Sequence, residues 1–129
     1  MLDISASEFF RTWKKSRHNL TQILPQGTPQ YIQLDFSSLV IPKRITLTFQ
    51  GGFVGIRCSI QFREPSDDKN WQPWVHVYPE DVNRQQIFDL PEAPSADNGV
   101  ETIKLVFEES SDFFGRITVY DMKIEGLVI

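Results

Sequence analysis

From Pro29 onward, apolar and polar residues alternate with a period of two. Ile32, Leu34 and Phe36 alternate with Gln33 and Asp35, and Ile45, Leu47 and Phe49 alternate with Thr46 and Thr48. Val54, Ile56, Cys58, Ile60 and Phe62 alternate with Gly55, Arg57, Ser59, Gln61 and Arg63. Such alternation predicts strands with one face in a core and the other in water. Further strands are expected through Trp74–Tyr78, ended by Pro79, at Gln86–Leu90, ended by Pro91, and around Ile103, Leu105 and Phe107. Pro65–Asn70 and Pro91–Gly99 read as polar connections. In the last strand, Arg116–Glu125, Ile117 and Val119 share one parity while Tyr120, Met122 and Ile124 share the other. A bulge near Val119–Tyr120 is expected to shift the phase. Seven strands with little helix predict a sandwich.

Before Pro29 the period is different. Ser5 with Glu8 forms a capping box, and Leu2, Ala6, Phe9, Phe10, Trp13 and Leu20 make an apolar stripe opposite Arg11, Lys14, Lys15 and His18. A helix over about 5–20 follows. The expected organisation is therefore an amphipathic N-terminal segment, 1–24, and a β-sandwich domain, 25–129. Its stripe is expected to pack on the sandwich.

Composition narrows the function classes. The 129 residues carry a net charge of −4, but residues 1–24 hold four Lys/Arg against two acids, so the remainder carries −6. That balance gives no general attraction to nucleic acid or anionic lipid. Cys58 is the only cysteine, so no internal disulfide forms. No run approaches the ~20 apolar residues of a membrane helix, and acids at Asp3 and Glu8 do not suit a signal peptide. An intracellular, reducing compartment is the expectation.

Candidate chemistry is sparse. Asp112-Phe113-Phe114-Gly115 mimics the metal-binding triplet of protein kinases, without the glycine loop, strand lysine or catalytic-loop Asp that a kinase needs. The preferred reading is a corner: Phe113 or Phe114 plugs the core, Gly115 permits the turn, and Asp112 bonds nearby amides or pairs with Arg116. Gly51-Gly52 forms a tight connection, with no helix after it to make a phosphate site. Asp67, Asp68, Glu80 and Asp81 are acids scattered over loops, which fits solvation better than the six to eight oxygens of calcium. His18 and His76 lack partners at zinc-ligand spacing. No cofactor, metal or catalytic residue is assigned, and the chain is not expected to be an enzyme.

The order and spacing of Gln26–Phe36, Phe49-Gln50-Gly51-Gly52-Phe53, Tyr78-Pro79-Glu80-Asp81 and the block Glu108–Gly126 resemble one family. It is the nuclear-receptor-associated protein family that partners a testicular orphan receptor. The resemblance spans roughly residues 26–126. It implies an all-β, jelly-roll sandwich of the galactose-binding-like, discoidin-like type, here with one short N-terminal helix. It also implies a non-catalytic protein-interaction module that binds a nuclear receptor and acts in transcription regulation in the nucleus or cytoplasm. A lectin-like module for a carbohydrate or small polar ligand is the second reading. In either case the loop end of the sandwich is the expected surface, drawing on Gln50, Phe53, Trp71, Trp74, Tyr78, Asp81, Asp112 and Arg116. Trp71 and Trp74 flank Pro73, and each reads equally as interface anchor or core cap. The front of the family's pattern, with its Cys-Trp-Asn-Ser before the Gln-Gly dipeptide, is replaced here by Asn19–Pro25.

Overall fold

The computed structural model describes residues 2–4, 13–15, 28–64, 67–92 and 99–128. They form strands β1 (Leu2–Ile4), β2 (Trp13–Lys15), β3 (Gln30–Phe49), β4 (Gly55–Glu64), β5 (Asp67–Val77), β6 (Gln85–Asp89), β7 (Val100–Ser110) and β8 (Val119–Val128). All pairings among them are antiparallel.

The two alternating runs expected as separate strands, Ile32–Phe36 and Ile45–Phe49, lie on a single strand of 20 residues. Its first part, Gln30–Asp35, pairs with β7, and its last part, Val40–Phe49, pairs with β8; the register shifts between Asp35 and Val40. β3 thus serves two layers. One runs β2–β3–β7–β4–β5, and the other runs β1–β8–β3–β6. The inward parity of both fills a common core, in which Ile32, Leu34, Ile45, Leu47, Phe49, Ile60, Phe62, Ile103, Leu105 and Phe107 are fully buried. Phe49 and Phe107 meet edge to face across it, with ring centroids 5.7 Å apart.

Several boundaries differ from the sequence reading. Of the helix expected over 5–20, residues 13–15 are strand β2, paired with Ile32–Leu34, and the others lie outside the described residues. The open edge of β3 supplies backbone partners there, and these outweigh local helical periodicity. Asp67–Asn70 belongs to β5 rather than to a loop, since an edge strand tolerates a polar stretch. Pro73 is accommodated by a register shift, with Ile60 opposite Val75 and Gln61 opposite Pro73, which leaves Trp74 as the extra residue. The last strand begins at Val119, not Arg116, and a shift falls where the phase change was expected: Thr48 faces Asp121 and Phe49 faces Val119, so Tyr120 is left over.

β3 also bulges between Pro42 and Arg44, where it passes Gly126 of β8. A methyl group at Gly126 would collide with the Ile41 carbonyl oxygen and Pro42 Cα. Replacing Gly126 by Ala is expected to cost about 3 kcal/mol in urea denaturation. Gly52→Ala meets open space at a φ of 89° and should cost only about 1–2 kcal/mol. Equal losses would contradict the close approach of β3 and β8.

Candidate recognition surface at the loop end

The end of β3, the start of β4, the end of β5 and the segment between β7 and β8 converge at one end of the sandwich. Gln50–Phe53 is a four-residue turn closed by Phe53 N–H donating to the Gln50 carbonyl at 3.0 Å, with Gly52 at a φ of 89° in its third position. The turn was expected to be tight, and it is. It carries the chain from one layer to the other, because β3 and β4 are not neighbours in either sheet. The loop after β5 clasps it: Gly51 N–H donates to Asn83 Oδ1 at 3.0 Å and Gly52 N–H to Asp81 Oδ1 at 2.8 Å. Asp81 is thereby committed to backbone. Among the described residues, no group of three His, Cys, Asp or Glu is gathered to hold a metal ion.

The corner between β7 and β8 is built around one carboxylate. Asp112 Oδ2 accepts from Phe114 N–H and Arg116 N–H, each at 3.1 Å, and from Arg116 Nε at 2.9 Å, while Oδ1 accepts from Arg116 Nη2 at 2.9 Å. Gly115, at a φ of 76°, turns the chain, and its N–H donates to the Asp112 carbonyl at 3.0 Å. Ser110 Oγ donates to the Arg116 carbonyl at 2.6 Å. Ser111 ties the corner to the β4 side: its N–H donates to the Val54 carbonyl at 2.8 Å and its Oγ accepts from Val54 N–H at 2.9 Å. From β3, the buried Gln30 side chain donates to the Gly115 carbonyl at 2.6 Å.

This network lowers the Asp112 pKa to about 2, chiefly through its bonds to the Arg116 side chain, reinforced by the amides of Arg116 and Phe114 and opposed by partial burial. The kinase-like reading of Asp112 has no geometric basis, since both its oxygens are satisfied within the corner.

The side chains around this hub form an aromatic tip. The Arg116 guanidinium lies 5.1 Å from the Phe53 ring centre and 5.4 Å from that of Phe114. Phe113 stands edge-on to Phe114, with centroids 5.2 Å apart, and is 92% exposed. Neither Phe113 nor Phe114 plugs the core as expected, because the loop closes on its own aspartate and turns both rings outward; Ile117 and Val54 are the buried residues here.

The structure therefore gathers Gln50, Phe53, Asp81, Asp112 and Arg116 at one end. Tyr78 is exposed beside them at the end of β5 and stacks on His76, which contacts Glu108 at 3.1 Å; Arg57 reaches the same carboxylate at 3.2 Å and Glu109 at 3.4 Å. The two tryptophans stand apart. Trp74 packs against the core, edge-on to Phe62 at 6.0 Å, with its indole N–H donating to the Pro91 carbonyl at 3.2 Å. Trp71 lies on the outward face of β5, beside Arg63 and Lys104. It lies six residues from the end of the strand, about 20 Å away at strand rise. Phe113 and Phe114 are the surface residues that the sequence reading assigned elsewhere. The signal for them was the closing pair Asp112 and Arg116, which leaves intervening side chains pointing out.

Solved structures place this architecture among galactose-binding-like, discoidin-type sandwiches. The family 32 CBM of NanJ from C. perfringens, solved in complex with galactose, superposes with a TM-score of 0.63 at 11% identity, covering 95% of this chain and 98% of that one. The C-terminal domain of a chitobiase from Bacteroides fragilis gives a TM-score of 0.59 at 18% identity, covering 81% and 67%. No protein-family model matches the chain. It is, however, 43% identical over 101 residues to the nuclear receptor 2C2-associated protein of Danio rerio, covering 78% of this chain and 67% of that one. It is 33% identical over 101 residues to the Homo sapiens protein of that name, covering 78% and 68%. The chain belongs to the nuclear receptor 2C2-associated protein family. That family is named for association rather than for a reaction.

Because the Asp112 pKa is depressed, the group stabilises the fold above its unfolded value near 4, and that stability is lost as pH falls through about 2. Asp112→Asn should cost about 2 kcal/mol at pH 7, and the gap from the parent should close towards pH 2 in denaturation curves. A gap that persists undiminished at pH 2 would show that the charge is not what holds the corner.

Proposed function

We propose that the chain is a non-catalytic, intracellular protein-association module that engages a nuclear receptor through its loop end. The family relationship supports an associated-protein role, and the observation that carries the surface is the aromatic tip on a fixed base. Phe113 is 92% exposed, yet the loop beneath it is held at Asp112 by two backbone amides and two guanidinium nitrogens. A large apolar ring on a rigid loop loses little entropy when a partner covers it, and aromatic and arginine side chains anchor interfaces for that reason. Arg116, spread between Phe53 and Phe114, offers a cation whose outward edge can meet a partner's polar rim.

A carbohydrate is the second reading. Exposed rings beside Arg116 and Gln50 form a platform of the chemistry that sugars stack upon, and the structural neighbours include a module solved with galactose. The family relationship favours the protein partner.

Binding to recombinant nuclear receptor 2C2, measured by titration calorimetry beside a glycan array, separates the two. Phe113→Ala and Phe53→Ala should each weaken receptor binding roughly tenfold or more. Phe113→Ala should leave the melting temperature of the module unchanged. Trp74→Ala should instead lower stability by about 3 kcal/mol through lost core packing. Receptor affinity that survives the loss of Phe113 and Phe53 would remove the loop end from the interface, and saturable glycan binding lost in the same variants would favour the lectin.

A further inference from the structure

A cavity lies on the outward face of the layer β8–β3–β6, away from the loop end. Ile45, Phe88 and Ile124 turn into the core, so their neighbours Arg44 of β3, Asp89 of β6 and Glu125 of β8 turn outward. The three stand in one cross-strand row, with Arg44 opposite Asp89 on one side and Glu125 on the other. The bulge between Pro42 and Arg44 leaves Lys43 as the extra residue, and its side chain joins Arg44 at the same spot. Lys43, Arg44, Asp89 and Glu125 together line a cavity of about 340 Å³. It is open to solvent, with Arg44 half-exposed and Asp89 mostly so. Arg44 lies five residues back along β3 from Phe49, about 17 Å at strand rise.

The four charges cancel, yet they are only partly spent on one another. Arg44 Nε donates to Asp89 Oδ1 at 2.9 Å, which fixes the plane of the guanidinium. Among the described residues, its two terminal nitrogens and the Lys43 ammonium close on no acceptor. The second oxygen of Asp89 likewise has no donor among them, and Glu125 meets only Lys123, at 3.8 Å. The cavity therefore offers donors of positive charge and acceptors of negative charge side by side. The backbone beneath them is pinned, because Leu90 N–H donates to the Lys43 carbonyl at 2.8 Å. That bond ties the bulge of β3 to the end of β6 and holds Lys43 and Asp89 in fixed relation.

We propose that this cavity binds a free α-amino acid with an aliphatic side chain. Its carboxylate sits on Arg44 and Lys43, and its ammonium on Asp89 and Glu125. A guanidinium held at Nε presents its two terminal nitrogens as a fork, the geometry that suits a carboxylate. A zwitterion matches a site whose own charges cancel. Phosphate would be repelled by the two carboxylates, and a metal ion by the two fixed cations. A neutral sugar would leave both signs without a counter-charge. The volume is at the small end for ligand pockets, with room for one amino acid rather than a peptide. Ile87, exposed two residues from Asp89 on the same face of β6, supplies apolar surface for the side chain.

The test is an NMR titration of the whole chain with L-leucine, N-acetyl-leucine, leucinamide and inorganic phosphate. L-Leucine should shift the Arg44 Nε–H and the backbone amides of Lys43 and Asp89 saturably, on the order of millimolar because the charges are solvated. N-acetyl-leucine lacks the ammonium and leucinamide the carboxylate, so each should bind at least tenfold more weakly. Arg44→Gln and Glu125→Gln should each weaken leucine binding roughly tenfold. Both should melt like the parent, since exposed ion pairs add little stability. The four titrations of the unsubstituted protein decide the question even where a variant fails to fold. No saturable shift with leucine would overturn the proposal. Equal binding of N-acetyl-leucine, leucinamide or phosphate would do so too, as would undiminished affinity in both variants. The loop-end reading is untouched by any of these results, because Phe113 and Phe53 take no part in this site.

Discussion

The loop end depends on the carboxylate of Asp112. It receives two backbone amides and two guanidinium nitrogens of Arg116. Charge-assisted bonds of this kind are roughly twice as strong as neutral ones. Without them the segment from Phe113 to Arg116 would keep only the Gly115 turn and the bonds from Gln30 and Ser110 to its carbonyls. With them, Arg116 is held where it meets Phe53 and Phe114, and the corner locks onto the Gln50–Phe53 turn through Ser111 and Val54.

That local clamp has value only because the strands beneath it are rigid. β3 belongs to both layers, so its end delivers the Gln50–Phe53 turn from one layer to the other directly over the Phe49–Phe107 contact. Gly55 lies against the Phe107 ring so closely that a methyl group there would overlap it. The core, the turn and the corner are consequently one packed unit. Sandwiches of this class present function on loops carried by such a frame, and the fold by itself does not choose between a receptor and a sugar. Membership of a family named for association favours the protein partner proposed above.

Much of the frame was legible in sequence. Alternation named the inward residues of β4 and β7 and both halves of β3, and the parity break in the last strand located the bulge at Tyr120. Three things were not legible. The joining of the two halves of β3 into one strand depends on long-range pairing with β7 and β8, which no local period reveals. The strand at Trp13–Lys15 arises because β3 offers an open edge, against a helical stripe that is locally self-consistent. The opposite facing of Trp71 and Trp74 follows from the shift at Pro73, which a proline hints at but does not place. Of the expected surface, Asp112, Arg116, Gln50, Phe53 and Asp81 come together because they occupy turns at one end. One of Phe113 and Phe114 is expected inward because apolar size usually means burial, a rule that a self-closing aspartate loop reverses for both.

The central claim is that the aromatic tip stands on a prearranged base. Amide hydrogen exchange at Phe114 and Arg116 in the unbound, unsubstituted protein tests it most directly. If Asp112 holds those two N–H groups as the structure shows, they exchange on the order of a hundredfold more slowly than open loop amides, although the loop faces solvent. Exchange at the rate of an unstructured peptide would contradict the account, leaving two rings on a floppy loop in place of a surface built for a partner.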